Sequence, residues 1–259
     1  MATRQGFRWA GVILSVTWLW IGGVPVTQAL EGKTDNSPDW FYPAWAADAK
    51  FNNPINVRDT DSALGRYSLD TKQIGLKDLT RFHGHLCDGL VLGFVEIKAV
   101  LEKLFPDGVV DRTDLRAVSK NGPCIVDAVS FMTGARTNFQ TLRVDPSIGE
   151  GFILQRISTG VAYRVKLRPG VMSDEQMELE RSIRQRRLEG DPIDAETIDT
   201  VEKMANQLIR KVLNIPSEEL LEIHRLPGFQ FVPNPTEFGG ERGDVINKNM
   251  PRSAPGAQE

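Results

Sequence analysis

Residues 81–105 read RFHGHLCDGLVLGFVEIKAVLEKLF. The second half sets the architecture. Leu90, Phe94, Ile97, Leu101 and Leu104 recur every three or four residues, the spacing of one helix face, until Pro106–Gly108 stops the run. The first half is chemically unusual. The chain has three histidines and two cysteines, and two of those histidines and one cysteine fall between His83 and Cys87. His83, His85 and Cys87 occupy every second position. An extended backbone would turn all three heads to one side. Imidazole and thiolate suit zinc, and also iron, nickel or copper. Three such ligands leave one tetrahedral position for a water, a substrate or a more distant ligand. Gly84 and Gly89 are expected to let the backbone bend around an ion.

Outward from this stretch the pattern alternates between helix and strand. Before it, LKDLTRF (76–82) suits a short helix. After it, DLRAVS (114–119) suits a strand and NGPC (121–124) a turn. CIVDAVSFMTG (124–134) suits a helix with Cys124 in its first turn and Gly134 as its stop. FILQRIS (152–158) and GVAYRVKLRPG (160–170) form a hairpin pattern about Thr159–Gly160. Two charged helices follow. The first opens with Ser173 and Gln176 at capping-box spacing, and the second runs over 194–214. A third helix is expected over 216–226, opened by Pro216, with His224 on its surface. The class is α+β: one core domain over 76–227, with an antiparallel or mixed sheet packed by helices. An irregular arm over 30–75 carries Trp40, Phe41, Tyr42 and Trp45. That aromatic cluster is expected to dock on its own domain or on a partner. Residues 228–259, rich in Gly and Pro, are expected to be a flexible tail.

The first 29 residues are distinct. Arg4 and Arg8 precede a charge-free apolar run from Trp9 to Val26, and a small-residue pattern ends at Ala29. This reads as a cleavable leader, cut after Ala29, and the mature protein as periplasmic or secreted. An uncleaved leader would be the chain's one membrane contact. Net charge is −3, with no basic excess to suggest a nucleic-acid partner. Export also leaves two cysteines free to oxidise, so a Cys87–Cys124 disulfide stands beside every reactive reading.

Cys124 follows a turn and opens a helix, with Asp127 one turn on. Cys87 stands in the same relation to the helix that begins near Asp88. A helix N-terminus favours thiolate at both. The residues alone leave several chemistries open: a metal centre, a dithiol–disulfide pair, or a thiol nucleophile activated by histidine and an acid.

FHGHLCDGLVLGF with NGPCIVDAVSFMTGAR some forty residues on resembles the FmdE-like family, named for a component of formylmethanofuran dehydrogenase. That family's hallmark is F-H-G-H-x-C-P-G, a helix, then C-x-x-D-A ending in T-G. The resemblance covers roughly 76–226. It implies an α+β core, often homodimeric, with His83, His85, Cys87, Cys124 and Asp127 lining a metal or active site. His83, His85, Cys87 and Cys124 would hold a divalent transition metal, zinc first, with iron or nickel as alternatives. Cys87, Cys124 and Asp127 would carry any catalysis. Two departures stand out. Asp88 replaces the family's usual proline, and with no cysteine after Cys124 the accessory zinc finger of some members is missing. The functional expectation is an exported metal-binding protein, either catalytic or accessory to a metal or redox enzyme. A thiol–disulfide redox protein and a non-enzymatic binding protein are the alternatives. A small-molecule substrate or a partner protein would complete its function.

Overall fold

The computed structural model describes residues 41–62, 65–234 and 247–252. The expected leader and Trp40 lie outside the described residues. In chain order, helix α1 (Ala44–Ala47) leads to strands β1 (Ile55–Arg58), β2 (Arg66–Ser68) and β3 (Lys72–Ile74). Helices α2 (Leu76–His83) and α3 (Asp88–Leu104) follow, then β4 (Val109–Asp111), β5 (Leu115–Ser119) and α4 (Pro123–Thr133). Next come β6 (Leu142–Val144) and the hairpin of β7 (Phe152–Arg156) and β8 (Ala162–Leu167). Helices α5 (Asp174–Glu189), α6 (Ala195–Val212) and α7 (Ser217–Leu220) precede β9 (Leu221–Arg225) and β10 (Asn247–Arg252).

The principal sheet has the order β6-β5-β7-β8-β9. It is antiparallel except for the parallel β5–β6 edge. A second sheet, β3-β1-β4, mixes one antiparallel and one parallel pair. The protein is therefore α+β, and α3 is its centre. That helix packs against α4 and α6 and against β7 and β8. Leu90, Phe94, Ile97, Leu101 and Leu104, the positions of the sequence stripe, are all buried. Val91, Leu92 and Val100, on other faces, are buried too, because α3 is covered on nearly every side.

The α3–α4 crossing is built from small residues. A Cβ on Gly93 would lie 2.9 Å from Ala128 Cβ and 3.6 Å from the Phe152 ring. One turn earlier, a Cβ on Gly89 would lie 3.4 Å from Cys124 Sγ. Gly89 and Gly93 share a helix face, as do Cys124 and Ala128. The two pairs let the helices meet closely and bring Cys124 to the start of α3. Gly89 therefore does not bend the backbone round an ion, as its place in the motif suggests. It lies inside the helix and makes room for Cys124.

Three other stretches differ from expectation. Residues 41–74, within the expected irregular arm, carry α1 and three short strands. Tyr42, Ala46, Ile55 and Val57 join the core. Tyr42 and Trp45 dock on their own domain, with Tyr42 Oη 2.5 Å from Asn52 Nδ2 and Arg210 of α6 stacked 3.9 Å over the Trp45 ring. The helix expected over 216–226 ends after one turn. From Leu221 the chain becomes β9, since Leu221-Glu222-Ile223-His224 alternates and pairs with β8. Lys166 Nζ lies 3.0 Å from Glu222 Oε2 across that pair, and His224 is an exposed edge-strand residue. Within the expected tail, β10 pairs with β2, and Lys248 Nζ reaches Asp111 Oδ2 at 2.9 Å. The caps of the charged helices follow the sequence: Ser173 Oγ accepts from Gln176 N–H, and Asp194 Oδ1 from Thr197 N–H.

Candidate metal centre

The His–Cys motif is not extended. His83 is the last residue of α2, and Gly84, at φ 99°, takes the left-handed conformation that stops that helix. His85 and Leu86 link to Cys87, which is extended at the N-cap of α3. The expected alternation is thus replaced by a helix end, a glycine stop and a helix start. The outcome for the side chains is the same. Ligand atoms of His83, His85 and Cys87 all lie within 4.8 Å of one another. The two imidazole centroids are 4.6 Å apart.

Helix α4 supplies the other side. Pro123 takes its first position, Cys124 follows, and Asp127 lies one turn on along the same face. Cys124 Sγ stands 3.4 Å from Cys87 Sγ, and both are free thiols. Asp127 Oδ2 stands 2.7 Å from His83 Nδ1. His83 Nε2 faces Cys87 Sγ at 3.9 Å. With Nδ1 tied to a carboxylate, the His83 ring is fixed and Nε2 is the nitrogen left to bind. Carboxylate–histidine pairs orient metal ligands in this way. The sulfur spacing also fits one ion. Two thiolates about 2.3 Å from a tetrahedral centre sit roughly 3.8 Å apart. The structure brings all five sequence-derived residues together, with Cys124 joined to the His83–His85–Cys87 trio through Cys87.

The two thiols are electrostatically unlike. The hydrogen bond with Cys124, and then burial, push the Cys87 thiol far up. The same hydrogen bond, helped by the charge and hydrogen bonding of His83 and opposed by burial, brings Cys124 down to about 6. Without an ion, the pair would share one proton across the 3.4 Å sulfur contact. A divalent cation would replace that proton and stabilise both thiolates.

Asp88 has a structural role. Its Oδ1 accepts the Gly89 N–H at 2.8 Å, capping a free amide of the α3 first turn, and its Oδ2 accepts from Gln176 Nε2 at 2.7 Å. Gln176 is buried on α5 and also donates to Glu180 Oε1 at 2.8 Å. Burial raises the Glu180 carboxyl, and the Asp88 charge adds to that rise. Asp88 thus ties α5 across the start of α3, beside the site.

Asp127 also lines a cavity that residue spacing does not foretell. Its volume is about 510 Å³, and Arg112, Arg136, Phe82 and Phe131 line it with Asp127. Phe82 stands beside a motif histidine and Arg136 follows Gly134, but no periodicity marks either. Their meeting depends on α2, α4 and the loop after β4 coming together.

The family model described as "FmdE, Molybdenum formylmethanofuran dehydrogenase operon" matches residues 82–222, more than half of the chain. A solved FmdE-like protein of the tungsten formylmethanofuran dehydrogenase type, from Syntrophus aciditrophicus, is similar at 23% identity. The likeness spans 60% of this chain and 75% of that one, with a TM-score of 0.36. No curated protein matches. The matched segment holds every residue of the His/Cys cluster, and the chain belongs to the FmdE family.

Proposed function

We propose that this is an exported protein that holds one divalent transition metal ion, zinc before iron or nickel, at His83, His85, Cys87 and Cys124. The observation that carries the reading is the Asp127–His83 bond. It spends Nδ1 and leaves Nε2 within the cluster formed with His85 and the two sulfurs. With all four ligands in place, a tetrahedral ion would be held in a closed site; with one of them displaced by water, the ion would supply Lewis acidity and acidify that water toward neutral pH. The chain's own contribution is to hold two thiolates, orient His83 through Asp127, and leave His85 exposed on the open side. Elemental analysis of tag-free mature protein should find about one equivalent per chain, and Cys87→Ser should lose it. No metal in the reduced wild-type protein would end this reading.

A second reading rests on the same atoms. Asp127, His83 and the thiol pair form an acid–histidine–thiol chain, the arrangement of an activated thiol nucleophile. The 3.4 Å sulfur contact equally suits a dithiol–disulfide couple. Stoichiometric metal with reduced, protected thiols supports the first reading. Metal-free protein that is stoichiometrically alkylated, or that cycles to a disulfide, supports the others.

Export rests on Arg4, Arg8, the apolar run and Ala29. Mature protein secreted to the periplasm should begin at Leu30, as N-terminal sequencing would read. The homodimer that the family resemblance implies should appear as twice the chain mass in light scattering.

A further inference from the structure

The geometry points to the cavity that Asp127 lines as the binding site for a small organic carboxylate with a flat apolar body. This rests on the metal-centre reading, since Asp127 joins the two: it lines the cavity, and its Oδ2 holds His83. The cavity, about 510 Å³, falls in the range that encloses small organic ligands.

The wall chemistry selects the class. Phe82 and Phe131 face each other at 5.8 Å, tilted 32°, and form an apolar side. Phe82 is 58% exposed, a large apolar surface left open beside the site. The cavity also holds two guanidiniums whose donors outnumber their acceptors. Arg112 is largely buried. Its NH1 donates to Asp59 Oδ2 at 2.7 Å, whereas its buried Nε has no hydrogen-bond partner among the described residues. Gly134 leaves that side chain its space: a Cβ there would meet Arg112 Cβ at 3.2 Å and Nε at 3.5 Å. Arg136 is exposed, and its guanidinium rests over the Phe139 ring at 5.1 Å. Among the described residues no carboxylate pairs with it.

The charges are unevenly committed. Asp59 is spent on Arg112 and Asp127 on His83, while Arg112 Nε has no hydrogen-bond partner among the described residues. A planar carboxylate matches a guanidinium fork, and a ring or branched alkyl body would lie along Phe82 and Phe131. The exposed Asn138 and the half-buried Thr137 add neutral polar groups to the lining. A ligand seated here would approach the centre through Asp127.

Calorimetric titration of benzoate into the mature protein tests the assignment, with benzamide as the uncharged twin and inorganic phosphate as the anion without an apolar body. Benzoate should bind, and benzamide should bind about 10-fold or more weakly. Arg136→Gln should weaken benzoate about 10-fold, and Arg136→Lys should restore part of the loss. Asn138→Asp, an exposed change that leaves the fold alone, should weaken it by charge repulsion. Three results would overturn the proposal: no benzoate binding up to about 10 mM, equal binding by the variants, or phosphate bound more tightly than benzoate. Metal content is measured on the same samples, and Cys87→Ser is titrated in parallel. Benzoate bound by metal-free protein would keep the pocket and sink the metal centre. One equivalent of metal without benzoate binding would do the reverse.

Discussion

The first turns of α3 and α4 have the same ingredients and behave in opposite ways. Each begins beside a glycine or proline turn and carries one of the chain's two cysteines within reach of the positive helix end. Yet Cys87 is pushed up, whereas Cys124 is brought down to about 6. The helix dipole cannot account for this, since both sulfurs have it. The difference lies in the neighbours. Cys87 sits beside Asp88, and the hydrogen bond it shares with Cys124 acts upward on it, with burial. For Cys124 the shared bond acts downward, and the charge and hydrogen bonding of His83 add to it. Position at a helix start makes a thiol available, and its surroundings decide which thiol ionises.

The strongest way to break the pair is to remove either sulfur. Cys87→Ser and Cys124→Ser should each lower metal affinity by about 1000-fold in competition with a chelator. If Cys124→Ser keeps wild-type affinity, the ligand set is the His83–His85–Cys87 trio alone. Next in size is the pH dependence of alkylation in metal-free protein. A lowered thiol pKa means thiolate persists below the usual range, so the rate should rise through about pH 6. Cys87→Ala removes the main cause of that lowering, the hydrogen bond from position 87. The midpoint should move toward 9, and the thiolate fraction at pH 7 should fall roughly 100-fold. Asp127→Asn leaves both sulfurs but loosens His83, and should cost about 10- to 100-fold in metal affinity. The smallest effect is expected from Asp88→Ala. Losing its bonds to Gly89 and Gln176 should lower stability by about 1 kcal/mol in thermal unfolding and leave metal content unchanged. Asp88→Pro should cost less, because proline suits the first helical position.

Much of this was legible in residue spacing. The α3 stripe, the cap at Gly134, the β7–β8 hairpin and the Ser173 cap all depend on neighbours in sequence, and all appear in the structure. The His–Cys cluster was legible in composition but not in conformation: a left-handed Gly84 between two helices, rather than an extended run, gathers the heads. Residues 221–225 pass for helix because a short apolar–acidic run fits both periods. Only the free edge of β8 decides for strand. The role of Asp88 and the Arg112–Arg136 cavity were beyond local reading. Asp88 bonds Gln176, 88 positions away, and Arg112 bonds Asp59, 53 positions away. No periodicity carries information over such distances.

The central claim is that Cys87 and Cys124 hold an ion between them. Thiol counting on native, tag-free protein, before and after chelation, tests it most directly. Two thiols that resist alkylation, become reactive on chelation, and release about one equivalent of metal are the predicted result. Two thiols that react at once without metal release, or none until a reductant is added, would contradict it.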